Sequence, residues 1–549
     1  MTDTSRTPGA ARRPHGPAPV PGMSRALAER FGARVLDPSS ARAVRTTGAK
    51  GVARRTPQPT AYLADSLLVR GLPGRRGART IAQLDDIAAG LGNAMRLTVT
   101  DRETELARTY DADERQAAFD DTWWTRVHLE PADDGPAAPA DAWELLAAAR
   151  QAGLDHTQVA LDHLVTACPT LDGVGGHWGG VGGHWGGVGG HWGGVGGHWG
   201  GVGQGIAEYG EPGIGGRTPV MWSAPDPRLT APKVAHVPVV AILDTGVGPH
   251  PWFTADDGVT FLDGITEDVE CDQQPIGIRA HVGTGTPTDP EYRGVVTDPL
   301  NGGLDRQPGH GTFIAGIIRQ RCPQAEILAL PVMPADGAVA EHEVIVALNQ
   351  LLRRHLSGEG RIDVLNLSMG YYHESPDEAA DDGPLLAALR ALAEAGVAVV
   401  AAAGNDGTDH PFFPAAHRPV ITTGVPMTSV GALNPDLSTV ALFSNNGTWI
   451  NAHAPGAGVV STVPTTLSGS RGRSIHVDRR DPLPRATVDP DDFSSGFALW
   501  SGTSFAAPWI AGDIAAALTG GGTVVDAVAS VVTDNRAHLA ARATGGAPW

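Results

Sequence analysis

In the second half of the chain, short apolar runs alternate with segments whose apolar residues fall at helical spacing. Val239–Leu243, Ile327–Val332, Ile362–Leu367 and Val397–Ala403 are near-continuous runs of Val, Ile, Leu and Ala. Strands buried on both faces read this way, whereas half-exposed strands alternate apolar with polar. Glu341–Leu356 and Leu385–Ala395 show the helical period between them. The alternation predicts an α/β domain over residues 236–549, a parallel sheet covered by helices. A final amphipathic helix is expected over Thr523–Ala543. In open sheets of this kind, sites form beyond the carboxyl ends of the strands.

A different rhythm occupies residues 58–168. Strand patterns at Tyr62–Arg70, Arg96–Thr100, Thr122–Leu129 and Gln158–Val165 are interleaved with helical spacing at Ile81–Leu91 and Ala140–Ala152. The order β-α-β-β-α-β is that of the split βαβ, ferredoxin-like arrangement, a small α+β domain. Residues 1–57 scatter Arg, Pro, Ala and Gly without a period, and are expected to be disordered. Residues 169–235 open with four tandem copies of Gly-Val-Gly-Gly-His-Trp-Gly and read as a linker. So much glycine excludes a coiled coil despite the seven-residue period. The linker reading stands beside two sharper ones: His177, His184, His191 and His198 as ligands for zinc, copper or nickel, and Trp178, Trp185, Trp192 and Trp199 as contacts for a partner.

Composition narrows the function classes. With 41 Lys+Arg against 60 Asp+Glu in 549 residues, the net charge is −19. That balance argues against a general nucleic-acid binder, which would show a basic face. Cys168, Cys271 and Cys322 are odd in number and widely spaced, so neither a disulfide framework nor a zinc site is indicated. No segment approaches 18 apolar residues, and no membrane span is expected. The first 50 residues lack the apolar core of a signal peptide, giving cytoplasmic location as the expectation, with non-standard export left open.

Three segments carry the chemistry. Val239–Leu243 ends in Asp244-Thr245-Gly246, an acid at a strand terminus. Gly309-His310-Gly311-Thr312 opens an apolar helix with a histidine. Ser501-Gly502-Thr503-Ser504-Phe505-Ala506-Ala507-Pro508 presents a serine among small residues. A serine hydroxyl needs a base to take its proton, histidine titrates near neutral pH, and a buried carboxylate holds the imidazole in the useful tautomer. Asp244 as orienting acid, His310 as general acid/base and Ser504 as nucleophile form such a set, in the order Asp…His…Ser.

All three segments closely resemble those of the subtilisin-like serine proteases (subtilases, peptidase family S8). The resemblance spans about residues 236–520. It extends to Leu365–Gly370, to Val397–Asn405, to Phe443–Gly447 and to Ala454-Pro455-Gly456 followed by Ser461-Thr462. It implies a subtilisin-like fold and a serine endopeptidase acting on protein or peptide substrates. It makes Asn405 the oxyanion donor together with the Ser504 N–H. It also assigns substrate contacts to Leu367, Ser368, Met369, Gly370, Ala403 and Gly404. Many subtilases carry a ferredoxin-like propeptide, which casts residues 58–168 as an intramolecular inhibitor whose tail, Thr166–Asp172, enters the cleft.

Two departures are expected to form surface loops. Asp244 and His310 are 66 positions apart, with a polar insertion over about Asp257–Pro308. A second insertion covers about Leu467–Asp492. Such loops are where specificity tends to be built. No cofactor is required; structural calcium is possible, as in many subtilases, but no EF-hand spacing indicates it. Within enzymes, an aminopeptidase-like or self-processing protease remains the alternative. A catalytically silent relative is disfavoured because triad and Asn405 are all present. Sedolisin-type chemistry is disfavoured because its helix carries Glu where this chain has His310.

Overall fold

The computed structural model describes residues 25–39, 44–48, 51–91, 95–131, 141–167, 216–253, 259–261, 266–271, 274–276, 290–294, 300, 302–358, 360–477 and 483–543. The heptad repeats, the segment after Ala167 and most of the first insertion lie outside the described residues.

The first region is a sheet of four antiparallel strands, β1 (Ala61–Arg70), β2 (Met95–Thr98), β3 (Trp124–Pro131) and β4 (Val159–Ala167), in the order β4-β1-β3-β2. That order is the split βαβ arrangement. Helices α1 (Arg76–Gly90) and α4 (Ala142–Ala152) cover one face. Their Leu84, Ala88, Leu145 and Leu146 pack on Leu67, Val69, Val127 and Leu161. Successive strand residues point to opposite faces, so Leu68, Trp124 and Ala160 face the other way, and there they join the core of the second region. Both faces of the sheet are therefore buried.

The second region is built on a seven-stranded sheet. In spatial order its strands are Val259–Phe261, β6 (Glu326–Pro331), β5 (Val239–Asp244), β7 (Val364–Leu367), β8 (Ala398–Ala402), β9 (Thr428–Leu433) and β10 (Ala452–Pro455). Every pairing in it is parallel. Helices α5 (His310–Arg321), α6 (Glu341–Ser357), α7 (Pro384–Glu394) and α8 (Thr503–Leu518) pack around it, and Val524–Ala543 closes the chain as expected. No helix among the described residues is long and apolar enough to cross a membrane.

Several expectations need correction. The loop between β2 and β3 folds into two helices, α2 (Asp101–Asp111) and α3 (Gln116–Thr122). Charge masks the first of them in the sequence, but Thr100 caps it by accepting the Glu103 N–H at 3.2 Å, and Leu106 and Tyr110 bury one face. The segment expected to be disordered contains a helix, Arg25–Phe31, and a strand, Ala33–Val35, that pairs with Ala61–Leu63. Burial of Ala33 and Leu36 and an ion pair from Arg34 to Asp141 at 2.8 Å hold it there. The end of the expected linker is also packed. Thr218–Pro219 pairs with Ala498–Leu499, and Arg217 is fully buried, donating to the carbonyls of Arg306 and Asp305 at 2.6 and 2.8 Å. The Trp500 ring lies 5.3 Å from its guanidinium.

The two regions share strands. Ala338–Ala340 adds to β4 at Leu164–Thr166, and Met369–Gly370 pairs antiparallel with Thr166–Ala167.

Candidate active site

Asp244 is the last residue of β5, where the parallel sheet delivers side chains to its carboxyl edge. Its Oδ1 accepts the Thr245 N–H at 2.8 Å. The same oxygen lies 2.7 Å from His310 Nδ1. Both residues are completely buried. His310 is the first residue of α5, and its ring is held between Trp500 (centroids 5.6 Å) and Phe505 (5.4 Å). Gly311 must lack a Cβ, because one there would collide with the Gly246 carbonyl and push helix and strand apart. With Nδ1 committed to Asp244, the other ring nitrogen, Nε2, is buried without a hydrogen-bond partner.

Ser504 sits at the second position of α8. Its hydroxyl donates to the Ser368 carbonyl at 3.2 Å, and the Ser368 hydroxyl donates to the Ser504 carbonyl at 2.9 Å. The second bond has a reason in the sequence. The Ser504 carbonyl would normally accept from the N–H four residues on, and that residue is Pro508, which has none. Ser368 fills the vacancy and ties the nucleophile's turn to the strand beside it. Asn366 Nδ2 in turn donates to the Ser368 hydroxyl at 2.9 Å.

Asn405 follows β8 and meets the same helix: its Oδ1 accepts the Thr503 N–H at 2.9 Å. That bond settles which end of the amide is acceptor, so the NH2 end is turned away from the Thr503 N–H. Gly404, at φ +96°, gives its N–H to the Thr503 hydroxyl at 3.1 Å. Asn445 Nδ2 holds the Ala403 carbonyl at 2.9 Å. Of the remaining expected contact residues, Leu367 ends β7, and Met369 and Gly370 form the edge that pairs with Thr166 and Ala167. The structure thus brings Asp244 to His310, and Asn405 and Ser368 to the turn of Ser504. The Ser504 hydroxyl is bonded to Ser368 rather than to His310.

Glu291, inside the insertion expected to be a surface loop, is a residue the sequence did not disclose. It is fully buried. One carboxylate oxygen accepts the Gly309 N–H at 3.0 Å and the Thr245 hydroxyl; the other accepts the Thr312 hydroxyl at 2.5 Å. It therefore braces the residue after Asp244 against both flanks of His310. The second insertion forms an exposed hairpin of His476–Val477 and Arg485–Ala486.

A buried polar cluster lies where the two regions meet. His163 of β4 holds Glu341 at 2.6 Å through Nδ1 and Glu374 at 2.7 Å through Nε2, all three with side chains 3 % exposed or less. Burial works to lower the His163 pKa, but the two carboxylates more than reverse it, raising it to about 10. Tyr371 donates to the far oxygen of Glu341 at 2.6 Å. His163, His373 and Glu374 are close enough to share an ion. Their contacts are nevertheless those of proton-bridged pairs: both His163 nitrogens face carboxylates, and His373 Nδ1 accepts the Ser375 N–H at 2.9 Å. Nearby, Arg126 pairs with Glu343 at 3.0 Å, and His156 contacts Asp381 at 3.1 Å.

Comparison with known proteins agrees with the geometry. A family model described as the subtilase family matches residues 236–522, over half of the chain. Subtilisin BL of Lederbergia lenta is 28 % identical over 251 residues, covering 43 % of this chain and 72 % of that protein. A thermophilic serine proteinase of Bacillus sp. (strain AK1) is 31 % identical over 183 residues, covering 31 % of this chain and 40 % of its own length. An intracellular serine protease of Paenibacillus polymyxa is 28 % identical over 187 residues, covering 31 % and 51 %. Several relatives are thus spanned over less than two thirds of their length.

Proposed function

The chain belongs to the subtilase family, and on that premise we propose that it is a serine endopeptidase working through an acyl-enzyme at Ser504. The observation that carries this reading is the buried His310, bonded through Nδ1 to Asp244 at 2.7 Å with Nε2 left without a partner. A ring held that way is a base waiting for a proton. On substrate entry the Ser504 hydroxyl exchanges the Ser368 carbonyl for His310 Nε2. Oγ then attacks the peptide carbon as its proton passes to Nε2, and Asp244 stabilises the imidazolium. The oxyanion is received by the Asn405 side-chain NH2 and the Ser504 N–H. Collapse expels the amine, which takes the proton from Nε2. Water, deprotonated by the same nitrogen, then releases the acyl group. Leu367–Gly370 and Ala403–Gly404 line the bound peptide.

Residues 58–168 act in this reading as an intramolecular inhibitor of the propeptide kind. In support, β4 ends on the Met369–Gly370 edge, where a substrate strand would pair. Location in the cytoplasm is proposed by analogy with the relative named an intracellular protease, and cell fractionation tests it.

The test of the activity is labelling of the full chain with a fluorophosphonate, with Ser504→Ala as control and intact mass read in parallel. Labelling lost in Ser504→Ala supports the triad; labelling that persists there refutes it. A cut between about Val165 and Val237 would support removal of the inhibitor.

A further inference from the structure

A peptide attacked at Ser504 lies along the edge of Met369 and Gly370, which Thr166 and Ala167 occupy in this structure. The Ser504 hydroxyl touches the Ser368 carbonyl, and Asn405 is fastened to Thr503. The attacked residue therefore sits between the segments Ser368–Gly370 and Ala403–Asn405, and its side chain enters the gap between them. Each segment presents a glycine to that gap. Glycine walls ordinarily leave room, since neither carries a Cβ.

Here the room is taken, by the Phe413 carbonyl beside Gly370, by Asn445 Nδ2 beside Gly404, and by one ring that reaches both. A Cβ on Gly370 would lie 2.7 Å from Phe412 Cζ and nearer still to Cε1. A Cβ on Gly404 would lie 3.0 Å from Phe412 Cδ1 and Cγ. One aromatic ring thus touches both walls. It is also braced from behind. Tyr372 meets it edge to face, centroids 5.1 Å apart, and the Tyr372 hydroxyl donates to Asp406 at 2.7 Å and accepts from Asn445 Nδ2 at 3.0 Å. The next residue, Phe413, exchanges two backbone hydrogen bonds with Tyr371, at 2.8 and 2.9 Å. Phe412 is thus flanked by a tethered ring on one side and a backbone-paired residue on the other. Phe412 itself is 5 % exposed, as a floor would be.

We propose that Phe412 is the floor of the pocket for the attacked residue's side chain, and that it restricts cleavage to peptides with a small side chain there, of alanine or serine size. This rests on the protease reading of Ser504 and adds its substrate class. Deep pockets accept an aromatic ring; a pocket already filled by one must reject it, because packed interiors do not yield cheaply to added volume.

The experiment uses the full chain and matched peptides differing only at the attacked residue: Ala, Leu, Phe and Lys. Fluorophosphonate labelling is run on the same preparations. The kcat/KM for Ala is expected to exceed that for Phe by roughly 10- to 100-fold, the range that pocket size alone supplies. Phe412→Gly is expected to raise the Phe/Ala ratio by about the same factor. Phe412→Val, which keeps more of the packing, should raise the Leu/Ala ratio and leave Phe poor. Ratios from a single preparation do not depend on the fraction folded, so partial loss of stability leaves the test intact. A labelled wild-type enzyme that fails to favour Ala, or ratios unmoved in both variants, overturns the proposal. Preference for Lys would do so by pointing to Asp406 instead. Absence of both labelling and cleavage, in the full chain and again after the N-terminal sheet is released by His163→Leu, would sink the protease reading itself, a separate outcome.

Discussion

Replacing His163 by leucine removes a cation that the buried carboxylates of Glu341 and Glu374 both contact across the two regions. The shape of the site is roughly kept, so the loss is electrostatic. Breaking a buried pair by deleting one partner costs about 3–5 kcal/mol, because the other charge is left uncompensated. At about 1.4 kcal/mol per tenfold, docking of the N-terminal sheet weakens by roughly 100- to 4,000-fold. If that sheet occludes Ser504, fluorophosphonate labelling of the full chain should accelerate in His163→Leu by up to that factor. Circular dichroism checks that the fold persists. The pH dependence has a definite sign. The docked pKa of His163, about 10, lies above its ordinary 6.5. Its contribution is therefore complete below about pH 6.5 and is lost as pH rises through about 10. Glu374 is held down to about 2 from 4.5: burial opposes this, but His373 and His163 beside it prevail. Its contribution is complete above about pH 4.5 and is lost as pH falls through about 2. Mild acid, pH 5–6, should leave the wild type docked and no faster to label. Equal labelling rates for wild type and His163→Leu would refute the occlusion argument; wild-type release at pH 5–6 would refute instead the charge assignment of His163 and Glu374.

Asn405→Ala should lower kcat by about 100- to 1,000-fold with KM little changed, since an oxyanion donor acts mainly on the transition state; steady-state kinetics reads this. Ser368→Ala leaves the Ser504 carbonyl without a donor because Pro508 cannot supply one, and should cost about 1–3 kcal/mol of stability in a denaturant titration. Glu291→Ala removes the acceptor shared by Gly309, Thr245 and Thr312 and should cost a similar 1–3 kcal/mol. It should also reduce turnover, as the Asp244–His310 pair loses its brace; a melting temperature and kcat at wild-type levels would count against that role.

Local chemistry made much of this protein legible in its sequence. Asp244 could be set at a strand end because five apolar residues precede it, and His310 at a helix start because an apolar helix follows it. The parallel sheet followed from strands too apolar to have an exposed face. In the first region the chain order of the main strands and of α1 and α4 was accessible from local apolar spacing, whereas α2 and α3 were not. What the chain could not disclose were contacts between residues far apart in it. His163 meets Glu341 and Glu374 across 178 and 211 positions; Thr245 meets Glu291 across 46 from inside an apparent surface loop. Each of these charged residues reads as solvated when taken alone, and burial is tolerable only because a distant partner arrives. Phe412 is similar: as sequence it is one more apolar residue, and only the folding of Gly370 and Gly404 onto its two edges makes it a floor. The sequence by itself determined which groups could do chemistry and on which kind of element each would stand. Tertiary structure decided which of them are dry, what braces them and how much space is left beside the nucleophile, because those depend on packing between segments that no local pattern encodes.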